Sequence, residues 1–194
     1  MTDQEIIKRI LAGETDLYRE IIVKYESQVA SVIFGMIGKS SEAQDVGQET
    51  FIRFYKNLKN FRGDSGVGTY LTRIAINLSL NEIKKRKRKN TMFVNSENDN
   101  MEIPDKSINS EIKEEKDLIY KAIHSLTPKF RSVIVLRLIE GYSTKETAEL
   151  LKIPVGTVLS RLTRAQRKLK EILSPIMEVN YGWKNIGIII PFVW

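Results

Sequence analysis

Apolar residues in this chain recur at intervals of three and four, and no segment alternates long enough to make a sheet. Leu17, Ile21, Tyr25, Val29, Val32 and Met36 fall on one face of a single helix. Val158, Leu162, Ala165, Leu169 and Ile172 do the same near the other end of the chain. A period of 3.6 sustained this widely restricts the chain to an all-α fold. Where the period breaks then decides how the helices are grouped.

The first break is "NFRGDSGVG" (60–68), three glycines and a Ser-Asp pair that read as a loop. It separates a helix over about 42–58, with Val46, Phe51, Phe54, Tyr55 and Leu58 turned inward, from one starting near Thr69 as N-cap. That helix runs into the basic block "KKRKRK" (84–89). From 90 to 111 the chain is rich in Asn, Ser and acid and loses its period, as a linker does. Periodicity returns over 111–126, and Thr127-Pro128 opens a new helix, with proline where its missing N–H costs nothing. Gly141 ends it, and Ser143 with Glu146 forms a capping box for the next. The expected architecture is two small helical domains, 1–90 and 111–173, joined by an acidic flexible linker over 91–110. A hydrophobic tail of unknown role follows over 174–194.

Residues 143–172 have the anatomy of a helix-turn-helix: a short helix, a tight "KIPVG" connection and a longer second helix. On the second helix Thr157, Arg161, Arg164 and Lys168 form a stripe about 100° from the apolar one, with Ser160 at its edge. Arginine can bond guanine edges bidentately and both cations neutralise phosphate, so such a stripe suits a DNA major groove. A basic solvated helix on a plain bundle would carry the same pattern. The helix after the glycine loop is similarly split, with Tyr70, Leu71, Ile74, Ala75 and Leu78 on one side and Arg73, Asn77, Lys84 and Arg88 on a polar stripe. Six consecutive basic residues repel one another unless something neutralises them.

Charge and composition narrow the function. With 31 basic against 24 acidic residues the chain carries +7, a balance suited to a polyanionic partner. It contains no cysteine, which excludes disulfides, thiolate metal sites and cysteine nucleophiles. The one histidine, His124, sits among Ala122, Ile123 and Leu126 and reads as structural. The carboxylates are scattered among lysines or gathered in the linker, so a metal-dependent nuclease is disfavoured, and neither cofactor nor metal is expected. "MTDQEIIKRILAGETD" reads as an amphipathic helix rather than a signal peptide, and the longest apolar run, "IGIIIPFVW", is less than half the length of a membrane span. A cytoplasmic protein is expected.

Two blocks carry a resemblance. "AQDVGQETFIRFYKNLKNFRGDSGVGTYLTRIAINLSLNEIKKRKRK" (43–89) is similar to region 2 of the extracytoplasmic-function (ECF) RNA polymerase sigma factors, and "LTPKFRSVIVLRLIEGYSTKETAELLKIPVGTVLSRLTRAQRKLKEIL" (126–173) resembles their region 4. The resemblance implies a non-enzymatic factor that binds core RNA polymerase and promoter DNA, acts on no small-molecule substrate, and is controlled by a cognate anti-sigma factor. It assigns Asp45, Gln48 and Glu49 to polymerase docking. Phe61, Arg62 and Gly63 correspond to the pocket for a flipped base of the −10 element, with Tyr70, Arg73, Asn77, Lys84 and Arg88 on the adjoining helix. Thr157, Ser160, Arg161, Arg164 and Lys168 correspond to −35 contacts. Four positions depart from the family pattern: Gly47 inside a helix, Tyr70 where Trp is usual, and Leu159 and Gln166 where basic residues are common. The competing reading is a stand-alone helix-turn-helix regulator, which leaves "DVGQE" and the glycine loop unexplained.

Overall fold

A computed structural model of the chain describes residues 1–93 and 110–180, with side chains over 1–89 and 117–175. The regular structure of those residues is helical throughout. The central part of the expected linker (94–109) and the last residues of the tail (181–194) lie outside the described residues.

Helix α1 (Asp3–Leu11) is opened by a Thr2–Glu5 capping box and buries Ile6, Ile7 and Ile10. A 3-10 turn, Thr15–Leu17, leads into α2 (Tyr18–Ile37), which stops at Gly38 with φ 75°. The predicted stripe of α2 faces inward: Ile21, Val29, Val32 and Met36 are buried and Tyr25 is half-buried. Helix α3 (Ser41–Lys56) is capped by the Ser40 side chain and buries Val46, Thr50 and Phe54. Tyr55 departs from expectation. It lies one residue, about 100°, beyond Phe54, so it is 41% exposed and reaches the core only by an edge contact to Tyr18.

Helix α4 (Val67–Phe93) begins two residues before Thr69. Val67 is buried and the Gly66 carbonyl accepts the Tyr70 N–H at 3.0 Å, so the loop closes earlier than a Thr cap would allow. The helix also passes close to α2. A Cβ at Gly68 would lie 2.8 Å from Gln28 Oε1 and 3.0 Å from the Tyr25 ring.

The second half holds α5 (Ser110–Ser125), α6 (Pro128–Ile134), α7 (Thr144–Leu151) and α8 (Val155–Asn180). Proline opens α6, Gly141 ends its continuation with φ +74°, and the Ser143–Glu146 capping box opens α7, as expected. Between α6 and Gly141, residues Val135–Ile139 widen into a π turn, closed by the Glu140 N–H on the Val135 carbonyl at 2.9 Å. π turns are rare and often accompany functional packing. Helix α8 does not stop at Leu173. It continues through Pro175 to Asn180, and its buried stripe ends at Leu169, leaving Ile172 37% exposed.

The two halves share one core. Buried residues from α1–α4 and from α5–α8 belong to a single apolar cluster. Phe34 of α2 stacks near Tyr120 of α5, ring centroids 4.3 Å apart. His124 donates from Nε2 to the Phe34 carbonyl at 2.9 Å, and burial pushes its imidazole below the ordinary value, which keeps it neutral. Arg131 donates to the Met36 carbonyl at 2.5 Å. The histidine is a structural group between the halves.

The glycine at position 47 has a local consequence. A Cβ there meets only Ile33 Cδ1, at 3.8 Å, an ordinary contact. Gly47→Ala is therefore expected to raise stability by about 0.5–1 kcal/mol through helix propensity. Urea unfolding should show a higher midpoint at unchanged slope. A lower midpoint would mean that α3 needs the bare backbone to seat on α2.

Candidate polymerase and nucleic-acid interfaces

Helix α8 is held from below and open above. Val158, Ala165 and Leu169 are buried, Val158 packing with Val133 and Ala148. The left-handed cap at Lys152 (φ 53°) turns the chain sharply from α7 into α8, which fixes the angle between them. On the free side Ser160, Arg164 and Lys168 are exposed, while Thr157 and Arg161 are half-buried. The Ser160 hydroxyl donates to the Thr157 carbonyl at 3.1 Å, so its oxygen still has lone pairs to offer. Lys168 lies 5.9 Å from the Phe130 ring centroid, the one member of the stripe shown against an aromatic face of α6. Leu159 is 50% exposed. This convex face, two arginines and a lysine over three turns, matches the width and charge of a major groove.

In the first half, Tyr70, Arg73, Asn77, Lys84 and Arg88 lie within about 60° of one another around α4. Asn77, Lys84 and Arg88 are exposed, and Arg73 is half-buried with its Nε buried and unpartnered. The loop beside them is built on aromatic packing. Phe61 meets Phe54 edge-on at 5.6 Å and Tyr70 at 5.3 Å. Both Phe61 and Tyr70 are half-buried, so only part of each ring is open to solvent. Arg62 is exposed and Gly63 has φ +76°, with Gln4 of α1 close enough to lie 3.3 Å from any added Cβ.

The basic block 84–89 divides in two. Arg86 points back into the protein, where it donates to the Ile37 carbonyl at 3.2 Å and to Ser40 Oγ at 2.7 Å, and pairs with Glu42 at 3.3 Å and Glu82 at 3.5 Å. It ties α4 to the α2–α3 corner. A run of like charge in sequence cannot reveal which member turns inward. Here the signal was Glu82 four residues before Arg86, the favourable i,i+4 order.

On α3, Asp45 and Gln48 are exposed, and Glu49 is half-buried in an ion pair with Arg53 at 2.7 Å. Ile52, 44% exposed, and Tyr55, 41% exposed, continue the Asp45–Gln48 stripe at spacings of four and three. The sequence pattern hides this extension because helical spacing alone turns Tyr55 inward with Phe54 and Leu58. The α3 stripe, the α4 face and the α8 face are carried on three different helices.

Among the described residues no group of three or more His, Cys, Asp or Glu is placed to hold a metal, and no helix is long and apolar enough to cross a membrane.

The family described as Sigma-70 region 2 matches residues 21–89, and Sigma-70, region 4 matches 116–169. The chain is 31% identical over 187 residues to the RNA polymerase sigma-H factor of Pseudomonas aeruginosa, covering 90% of this chain and 95% of that one. It is 31% identical over 188 residues to the ECF RNA polymerase sigma-E factor of Escherichia coli K12, covering 91% and 97%. Among solved structures it resembles the sigma factor RpoE in complex with the anti-sigma factor NepR from Bartonella quintana, with TM-score 0.67 at 21% identity over 81% of this chain and 96% of that one. It also resembles CnrH in complex with the cytosolic domain of CnrY, with TM-score 0.65 at 21% identity over 89% and 97%. The protein belongs to the ECF family of RNA polymerase sigma factors. As such it binds core RNA polymerase and promoter DNA and directs promoter-specific initiation. Membership over both halves sets aside the stand-alone regulator.

The exposed Leu159 yields a direct test. Leu159→Lys places a cation on α8 where none stands, and is expected to tighten promoter binding by the holoenzyme and steepen its salt dependence by about one phosphate's worth. A salt slope equal to that of the unsubstituted protein would show that this part of α8 lies away from the DNA backbone.

Proposed function

We propose that the three surfaces divide the work of initiation. The α3 stripe of Asp45, Gln48 and Glu49, extended by Ile52 and Tyr55, docks on core polymerase. Its mixed character supports this: two exposed apolar side chains beside two carboxylates and an amide give a contact that can bury area and still fix register. Phe61, Arg62 and Gly63 form one wall of a pocket for an extruded −10 base. Tyr70, Arg73, Asn77, Lys84 and Arg88 follow the opened strand. Extruding a base costs a few kcal/mol of stacking, and the pre-packed Phe54–Phe61–Tyr70 cluster keeps that pocket from collapsing when it is empty.

Thr157, Ser160, Arg161, Arg164 and Lys168 read the −35 element. The single observation that carries this is the exposed Ser160–Arg164–Lys168 stripe, with Arg161 half-buried beside it, on a helix braced from below by Val158, Ala165 and Leu169. In this reading residues 1–90 and 111–173 are the two working units and 91–110 the tether between them. The protein acts in the cytoplasm, as a binding factor and not as an enzyme. An anti-sigma factor is its counterpart in regulation, as NepR is in the complex with RpoE of Bartonella quintana.

In vitro transcription with core polymerase and a fragmented genomic template tests the reading. Discrete transcripts dependent on this protein are expected, and with Arg161→Ala their yield should fall with relaxed −35 preference, by about 1–3 kcal/mol of binding for a lost bidentate base contact. Unaltered −35 preference would remove Arg161 from the reading set, and failure to bind core polymerase would remove the α3 assignment.

A further inference from the structure

We propose that Gln4, on the first turn of α1, is a specificity-determining residue for the −10 element, its side-chain amide bonding the edge of the extruded base. The inference rests on the reading of Phe61, Arg62 and Gly63 as one wall of the base pocket, and it supplies a second wall. Helix α1 lies outside residues 21–89, the segment that carries the region 2 match.

The first turn of α1 is fixed beside the glycine loop. Its own backbone is set by the capping box, in which the Thr2 N–H donates to Glu5 Oε2 at 2.7 Å. Asp3 ties it to α2, accepting from the Tyr25 hydroxyl at 2.5 Å and from the Lys24 ammonium at 2.6 Å. The Tyr25 ring in turn lies against the start of α4, 3.0 Å from where a Cβ at Gly68 would stand. Helix α1 also packs on the turn Leu58–Asn60, which leads into the loop. Between these anchors the loop passes Gln4. A Cβ at Gly63 would lie 3.3 Å from Gln4 Nε2, closer than ordinary van der Waals contact. Gly63 also has φ +76°, where a side chain is strained. Bare backbone at this position lets the loop and the amide sit side by side.

The amide is available for a ligand. Gln4 is exposed, and among the described residues no hydrogen bond engages its side chain. Its charged neighbours on α1 are occupied: Asp3 by Lys24 and Tyr25, Glu5 by the Thr2 N–H, Arg9 by Glu14. A glutamine that only braced the loop would bond its backbone, which Gln4 does not do.

An amide brings the chemistry that the rest of this wall lacks. Phe61 supplies a ring, Arg62 donors alone and Gly63 space. A glutamine side chain carries an acceptor and two donors. An extruded base is read on its Watson–Crick edge, where donors and acceptors stand side by side. One amide can therefore pair with that edge twice, as a lone cation cannot.

The test uses in vitro transcription by core polymerase and the full chain, from a promoter found on the genomic template with its −10 element randomised. Sequencing the transcripts gives the base preference at each position. Gln4→Ala should lower the preference at one position about tenfold and leave the others as they were. Gln4→Glu should instead move the preference at that position toward guanine, whose N1–H and N2–H present two adjacent donors to an acceptor-only carboxylate. Both changes fall on an exposed helical position that accepts either residue. A profile unaltered by Gln4→Ala would overturn the proposal, and so would Ala and Glu variants that flatten the position alike, since that is the mark of a loop brace. Gly63→Ala separates this inference from the reading beneath it. If Gly63→Ala flattens a position that Gln4→Ala leaves intact, the role of Gln4 alone is refuted. If neither changes any position, the pocket at Phe61–Gly63 is refuted as well.

Discussion

Helix α2 is the support on which the rest of the structure depends. Ile21, Val29, Val32, Ile33, Met36 and Ile37 are all buried, so this helix serves as a core element for several neighbours at once. Helices α3 and α4 lean on it from the first half, and α5, α6 and the π turn from the second. Its small and polar positions do as much as its large ones. Gly35 admits Val135, and Gln28 holds the Tyr142–Thr72 pair. Because protein interiors are close-packed and deform little, the α4 and α8 faces take their relative placement from the packing around that helix, to which the direct Tyr142–Thr72 contact between the second half and α4 adds.

The working surfaces follow a common plan. In each, an exposed polar or charged stripe is carried on a helix whose opposite side is fixed by buried residues. Val46, Thr50 and Phe54 anchor α3; Leu71, Ala75 and Leu78 anchor α4; Val158, Ala165 and Leu169 anchor α8. The glycine loop between α3 and α4 is held by aromatic edges, with Phe61 set between Phe54 and Tyr70. Tyrosine in place of the family's usual tryptophan keeps that edge contact with a smaller ring. Rigid presentation matters for a protein that recognises through contacts alone, since ordering a floppy surface would subtract from every contact it makes.

Much of this was legible in the chain as written. The helix starts at Pro128 and Ser143, the stop at Gly141, the apolar stripe of α2 and the helix-turn-helix all follow from local chemistry: capping, a fixed proline φ and helical period. The exposed faces at Asp45–Gln48, Asn77–Lys84–Arg88 and Ser160–Arg164–Lys168 were equally plain, because a stripe is a property of one helix. Tyr55, Arg86 and Ile172 were not. Tyr55 and Ile172 sit at the margin of an apolar stripe, where exposure depends on how wide a neighbour is. Arg86 looked like part of a solvated basic run until Ser40, Glu42 and the Ile37 carbonyl were brought beside it.

The sequence by itself determined an all-α fold, its helix boundaries to within a few residues except at the end of α8, and the stripes that mark its family. Those are local consequences of a period of 3.6 and of residues that cap or break it. Only the tertiary structure decided that the two halves meet, that the lone histidine lies between them, and that a glycine within α2 receives a π turn from about a hundred residues further along the chain. Such pairings join surfaces that are each self-consistent when apart, and no pattern within either segment encodes the choice of the other.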